Sequence, residues 1–186
     1  MSERGRVFVI AAPSGAGKTS LVKALLDANA SRSFSVSTTT RRKRPAEVEG
    51  SDYHFVDEQT FRRMVDADAF LEYAQVFDNW YGTTRDAVEQ LRNTGHDVIL
   101  EIDWQGARQV RERLPDCTSI FILPPSRAEL ERRLRSRAQD SDEVIARRLR
   151  DADADIAHSS EFDHVVVNDR FEDALAELER IFRPQN

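Results

Sequence analysis

Residues 12–19, Ala12-Pro13-Ser14-Gly15-Ala16-Gly17-Lys18-Thr19, have the types and spacing of a phosphate cradle. Small residues and glycines let successive backbone N–H groups curl around phosphate oxygens, and a helix that follows turns its positive end toward them. Lys18 can reach β- and γ-phosphates, and the Thr19 hydroxyl is placed to ligate Mg²⁺. The fit to the phosphate-loop pattern fails only at its first position, where Ala12 stands in place of glycine. Gly15 and Gly17 keep the permissive positions nearest the phosphates. The loop signals nucleoside triphosphate binding and is silent about any acceptor.

Such a loop needs a buried strand before it and a helix after it, and both are present. Val7-Phe8-Val9-Ile10-Ala11 is an unbroken apolar run, the pattern of a strand buried on both faces of a parallel sheet. From Lys18 to Ala30, Leu21, Val22, Leu25 and Leu26 share one helical face. The alternation returns with Val98-Ile99-Leu100, with Ile120-Phe121-Ile122-Leu123 before Pro124-Pro125, and with Val165-Val166-Val167. A final helix follows, with Phe171, Ala174, Leu175, Leu178 and Phe182 on one face. The expected fold is α/β, a phosphate-loop core with a mainly parallel sheet flanked by helices.

Two stretches break this rhythm. Residues 34–83 are rich in Thr, Tyr, Phe and turn residues, which predicts a small β-rich insertion. Residues 127–150 carry arginines at positions 127, 132, 133, 135, 137, 147, 148 and 150, a charge run whose plainest reading is a solvated helical hairpin. Other chemistry is weakly represented. There is no Gly-x-Gly-x-x-Gly, and His54, His96, His158 and His164 share no metal-ligand spacing with a carboxylate or with Cys117, so surface or structural roles are expected of them.

The 186 residues suffice for one compact unit with a core and inserted lobes. A net charge of −6 argues against nucleic acid as an electrostatic partner. One cysteine allows no disulfide framework and fits a reducing cytoplasm. The polar stretch Met1 to Arg6 has no signal-peptide character, and no apolar run reaches membrane-spanning length, so neither secretion nor a membrane is expected.

The β-rich stretch becomes informative when read through. Ser35-Val36-Ser37-Thr38-Thr39-Thr40-Arg41-Arg42-Lys43-Arg44-Pro45-Ala46-Glu47-Val48-Glu49-Gly50-Ser51-Asp52-Tyr53-His54-Phe55 resembles the GMP-binding segment of guanylate kinases. Phe70-Leu71-Glu72-Tyr73-Ala74, Tyr81-Gly82-Thr83, Glu101-Ile102-Asp103-Trp104-Gln105-Gly106 and Val165-Val166-Val167-Asn168-Asp169 extend the resemblance, in order, over nearly the whole chain. The family usually has Pro where Lys43 stands and Gly where Ala46 stands, so the 43–46 loop is expected to follow its own path.

The resemblance implies phosphoryl transfer from Mg·ATP to GMP, with dGMP also accepted. It implies a core of residues 1–33, 84–126 and 151–186, a GMP-binding subdomain of 34–83 and a lid of 127–150. ATP would meet Ala12 to Thr19 and Asn168; GMP would meet Ser37, Arg41, Arg44, Glu47, Tyr53, Glu72, Tyr81, Thr83 and Asp103. Lys18, Arg41, Arg137 and Arg148 would be catalytic, Thr19 would hold Mg²⁺, and Glu101 has no settled role. The partners implied are small molecules and, as one option, further copies of the chain in a homo-oligomer.

Residue chemistry agrees with that assignment. A guanine edge carries an O6 acceptor beside N1–H and N2–H₂ donors; a carboxylate such as Glu72 accepts from both donors, while hydroxyls such as Ser37 and Thr83 donate toward O6. Three other functions fit these residues less well. A peptide-binding module of guanylate-kinase type usually lacks the loop lysine, which is present here. A kinase for another phosphorylated acceptor would not need Ser37 and Glu72. A nucleic-acid-binding ATPase conflicts with the acidic net charge.

Overall fold

The structure, a computed structural model, describes residues 4–76, 78–136 and 141–183. In chain order the elements are β1 (Val7–Ala11), α1 (Lys18–Ala28), β2 (Arg32–Phe34), β3 (Thr38–Thr39), β4 (His54–Phe55), α2 (Glu58–Asp66), β5 (Phe70–Val76) and β6 (Asn79–Thr84). There follow α3 (Arg85–Asn93), β7 (Asp97–Glu101), α4 (Trp104–Arg113), β8 (Thr118–Leu123), α5 (Arg127–Ser136), α6 (Asp142–Ile156), β9 (His164–Val167) and α7 (Phe171–Ile181), with a 3₁₀ turn at Ser159–Glu161. One sheet has the strand order β2-β7-β1-β8-β9, with β2 parallel to β7 and β8 parallel to β9. The unbroken apolar run of β1 is buried along its whole length, as a central strand covered on both faces must be. Among the described residues, no helix is long and apolar enough to cross a membrane.

The chain divides into two compact units. The first comprises Met1–Phe8, Ser31–Leu100 and Gln105–Cys117. It holds the β-rich insertion as a second sheet, with order β4-β3-β6-β5. The insertion also contains α2, whose start is fixed by the Asp57 carboxylate accepting from Thr60 N at 2.6 Å.

The two faces of this sheet have different jobs. On one, Phe61 of α2 stacks on Phe70 with centroids 4.5 Å apart, and Tyr73 and Trp80 complete an aromatic layer. Phe70 reaches this face because the register shifts between Phe70 and Glu72, and the extra residue reverses the alternation of sides. Arg113 Nη1 donates to the carbonyls of Phe70 and Leu71 at 2.9 and 3.1 Å, satisfying backbone at the irregularity. The opposite face carries Glu72 paired across the strands with Thr83.

The second unit comprises Val9–Ala30, Glu101–Trp104 and Thr118–Asn186. In it α1 packs on α7, burying Leu21, Val22 and Leu25 with Ala174, Leu178 and Phe182. The arginine-rich stretch is a helical pair with its own small core of Leu130, Leu134, Ile145, Leu149 and Ala152. α6 continues past position 150 to Ile156. The charges occupy the remaining surface: Glu129 accepts from Arg132 and Arg133, which hold its carboxyl down at about 2.

Gly82 leaves room for the aromatic layer. A Cβ there would lie 2.7 Å from the Phe70 ring and 3.0 Å from Glu72 O, and the ring is itself stacked and buried. Gly82→Ala is expected to lower unfolding free energy by about 1–3 kcal/mol, an overpacking cost, as measured by urea denaturation.

Candidate active site

The phosphate loop follows β1 and lines a cavity of about 310 Å³ with Ala12, Pro13, Ser14, Gly15, Gly17, Lys18, Thr19 and Ser20. Gly15 and Gly17 have φ of 91° and 94°, the left-handed region that side chains avoid. Among the described non-glycine residues only Asp68 has positive φ, so Ala12 sits in ordinary backbone and needs no glycine. The loop is braced from below by Asn168, which is 6% exposed and donates from Nδ2 to Ala16 O at 2.7 Å. Its own backbone is held by Leu123 O and by Arg133, which donates to Asn168 O.

Lys18 opens α1 at the mouth of this cavity. Its Nζ donates to Ile102 O at 3.3 Å and lies 4.0 Å from Glu101 Oε1. Burial pulls its ammonium below the ordinary lysine value, and the charges of Glu101, Asp103 and Asp155 oppose that pull. Thr19 Oγ1 donates to Glu101 Oε1 at 2.7 Å. Glu101, left without a role by the sequence, is thus the carboxylate that orients both the lysine and the threonine.

A second polar cluster lies in the first unit. Glu72 and Thr83 are buried, and Thr83 Oγ1 donates to Glu72 Oε1 at 2.6 Å. A hydroxyl has one proton, so Thr83 in this structure aims the carboxylate rather than offering a donor of its own. Ser37 immediately precedes Thr38, whose strand partner Gly82 immediately precedes Thr83.

Arg41 forms a fork with Glu47, Nη1 to Oε2 at 3.1 Å and Nη2 to Oε1 at 2.5 Å, with its guanidinium over the rings of Tyr53 and Phe55. Hydrogen bonding to Glu47 raises the arginine's pKa further and lowers that of Glu47. Glu47 Oε2 also accepts from Arg44 N at 2.7 Å, closing the turn in which Glu47 N donates to Arg44 O. Lys43 and Ala46 are exposed on this turn, so their departure from the family's Pro and Gly removes no buried contact. Tyr81 stands 6.0 Å from Tyr53, ring centroid to centroid.

Of the residues expected to meet the acceptor, Ser37, Arg41, Arg44, Glu47, Tyr53, Glu72, Tyr81 and Thr83 belong to the first unit, whereas Asp103 belongs to the second, with Lys18 and Thr19. Arg148 is partly buried on α6. Arg137 lies outside the described residues. Asp155 carries no sequence signal, and its carboxyl is pushed up by burial and by the charges of Asp103 and Asp151.

Three comparisons bear on this arrangement. The family model described as guanylate kinase matches residues 4–185. A guanylate kinase of Alkalilimnicola ehrlichii is 57% identical over 178 residues, covering 96% of this chain and 88% of its own. That of Escherichia coli (strain K12) is 52% identical over 184 residues, covering 98% and 89%. The crystal structure of guanylate kinase from Anaplasma phagocytophilum superposes with a TM-score of 0.76 at 35% identity, covering 97% of this chain and 85% of that one.

A side chain at position 17 would need the left-handed region and would collide with the Asn168 amide. Gly17→Ala is therefore expected to weaken triphosphate binding at least tenfold, a loss of about 1.4 kcal/mol, by calorimetric titration with ATP. Unchanged affinity would show that the loop does not depend on this conformation.

Proposed function

The chain belongs to the guanylate kinase family and transfers a phosphoryl group from ATP to GMP, and we propose the following division of labour among its residues. Residues 1–33, 84–126 and 151–186 act as the ATP-binding core, 34–83 as the GMP-binding subdomain, and 127–150 as a lid. The observation that carries the acceptor assignment is the buried Glu72 carboxylate, held at 2.6 Å by Thr83. Such a carboxylate accepts from the N1–H and N2–H₂ of guanine, and Ser37 donates toward O6. Adenine offers the opposite pattern and leaves these groups unpaired, at about 1–3 kcal/mol each. The sugar 2′ position has no partner in this scheme, which supports dGMP as a second acceptor.

Arg41 and Arg44 receive the acceptor phosphate, with the Tyr53 and Tyr81 hydroxyls beside them. Glu47 holds the Arg41 fork flat in advance, a preorganising contact. Ala12 to Thr19 surround the ATP phosphates, and Asn168 serves this site through the loop it braces. Asp103 contributes to acceptor binding from the segment that also neutralises Lys18.

The acceptor is a phosphate monoester with a second pKa near about 6, so at neutral pH it is largely ionised and needs no strong general base. Catalysis then rests on in-line placement and on cancelling charge between two phosphates. Lys18, Arg41, Arg137 and Arg148 supply positive charge for this. The Thr19 hydroxyl and the neighbouring Glu101 oxygens suit a hard cation, and among the described residues no cluster of three or more His, Cys, Asp or Glu side chains forms a dedicated cage. That matches Mg²⁺, which favours few protein ligands alongside waters and phosphate oxygens. Thr19 would hold the ion, which would add charge neutralisation at the phosphates. The single cysteine supports a cytoplasmic setting, where the activity would feed purine nucleotide metabolism.

ADP formation with Mg·ATP and GMP, AMP, CMP or UMP in parallel tests the acceptor assignment. Glu72→Gln is expected to lower kcat/KM for GMP by roughly 100-fold, with a narrowed GMP-to-AMP ratio. Unchanged values for both would remove Glu72 from the guanine edge. Lys18→Ala is expected to lower kcat by roughly a thousandfold while circular dichroism stays the same.

A further inference from the structure

The segment from Glu101 to Trp104 is gripped at both ends within the second unit. At its start Thr19 holds Glu101, and Lys18 holds the Ile102 carbonyl. At its end the Trp104 indole lies flat on the His158 imidazole, ring centroids 3.5 Å apart and planes 12° from parallel. His158 is held in turn, with Nδ1 2.7 Å from Glu161 Oε1 in the 3₁₀ turn that follows α6. Trp104 also hydrogen-bonds the Asp155 carboxylate in the last turn of α6.

Core filling does not account for this stack. Both rings are partly exposed, and α5 and α6 already pack through Leu130, Leu134, Ile145, Leu149 and Ala152. An aliphatic stripe sets the distance between helices more firmly than the roll of a helix about its own axis, because apolar contact is non-directional. A flat stack and a hydrogen bond are directional. Arg148 and Asp155 are seven residues apart on α6, nearly two full turns, so they share a face roughly 10 Å apart along the axis. Fixing the Asp155 end to Trp104 therefore fixes the direction in which Arg148 projects. Asp103 and Asp155 are like charges, and Lys18, attracted by both, offsets their repulsion.

We propose that Trp104 and His158 are positioning residues for phosphoryl transfer, their stack locking the roll of α6 to the segment that holds Lys18 and so aiming Arg148. The proposal rests on the catalytic role given above to Arg148. It adds residues that touch neither substrate and act through that arginine.

The test measures kcat, KM for GMP and the thermal midpoint for His158→Ala, His158→Phe, Arg148→Ala and the double variant His158→Ala/Arg148→Ala. His158→Ala is expected to lower kcat about tenfold, the scale of a small misplacement, with KM for GMP and the midpoint unchanged. His158→Phe keeps a flat ring on the indole and should restore most of kcat. Arg148→Ala should lower kcat by roughly a thousandfold, and adding His158→Ala should then cost nothing more.

Unchanged kcat in His158→Ala, failure of His158→Phe to restore it, or an equal loss in both arginine backgrounds would each overturn the positioning role. So would a loss of kcat that follows a lowered midpoint. If Arg148→Ala leaves kcat intact, the arginine's catalytic role falls and this proposal falls with it; if only His158→Ala is silent, the arginine's role stands and the positioning role alone falls.

Discussion

Lys18 carries a positive charge into a partly buried place, and much of the second unit is arranged around that fact. A desolvated ammonium is costly unless partners replace water, and here they are a backbone carbonyl and the charges of Glu101, Asp103 and Asp155. Those partners come from the end of β7 and from α6, so the lysine ties the phosphate loop to two other parts of the unit. The same partners hold the lysine where it lines the cavity of the loop. Glycines at positions 15 and 17 allow the backbone to turn its N–H groups inward, and Asn168 prevents the loop from relaxing out of that shape.

The first unit solves a different problem, that of holding a carboxylate away from water in a small sheet. Glu72 remains buried because Thr83 donates to it across the strands, and the strand register that brings them together is fixed on the other face by the aromatic layer. The irregularity at Phe70 is what allows one strand to serve both faces. Arg113 supplies the hydrogen bonds this irregularity requires, from a helix far along the chain.

Local chemistry was readable from the sequence, and long-range pairing was not. The phosphate loop declared itself because its glycines, lysine and threonine sit within eight consecutive positions between a buried strand and a helix. The β-rich insertion was visible in its composition, but α2 within it was hidden by the surrounding Thr, Tyr and Phe, although Asp57 and Thr60 mark its start. The pairing of Glu47 with Arg41 is not legible in the sequence, because the two lie on either side of a turn whose path Lys43 and Ala46 obscure. The roles of Asn168 and Glu101 depend on contacts with residues more than 80 positions away, which no periodicity records. Thr83 reads in the sequence as a donor toward the base, and its contact with Glu72 Oε1 at 2.6 Å, eleven positions away across two strands, is visible only in the structure.

The two-faced sheet of the first unit has a consequence for how such a protein can diverge. Glu72 and Thr83 alternate along β5 and β6 with the residues of the aromatic layer on the opposite face, so each strand encodes two nearly separate instructions. Changes on the Glu72 face leave the aromatic layer on the other side in place. A lineage could therefore vary that face with the scaffold intact, provided the buried Glu72–Thr83 pair changes together and Gly82 and the ring above it are left alone.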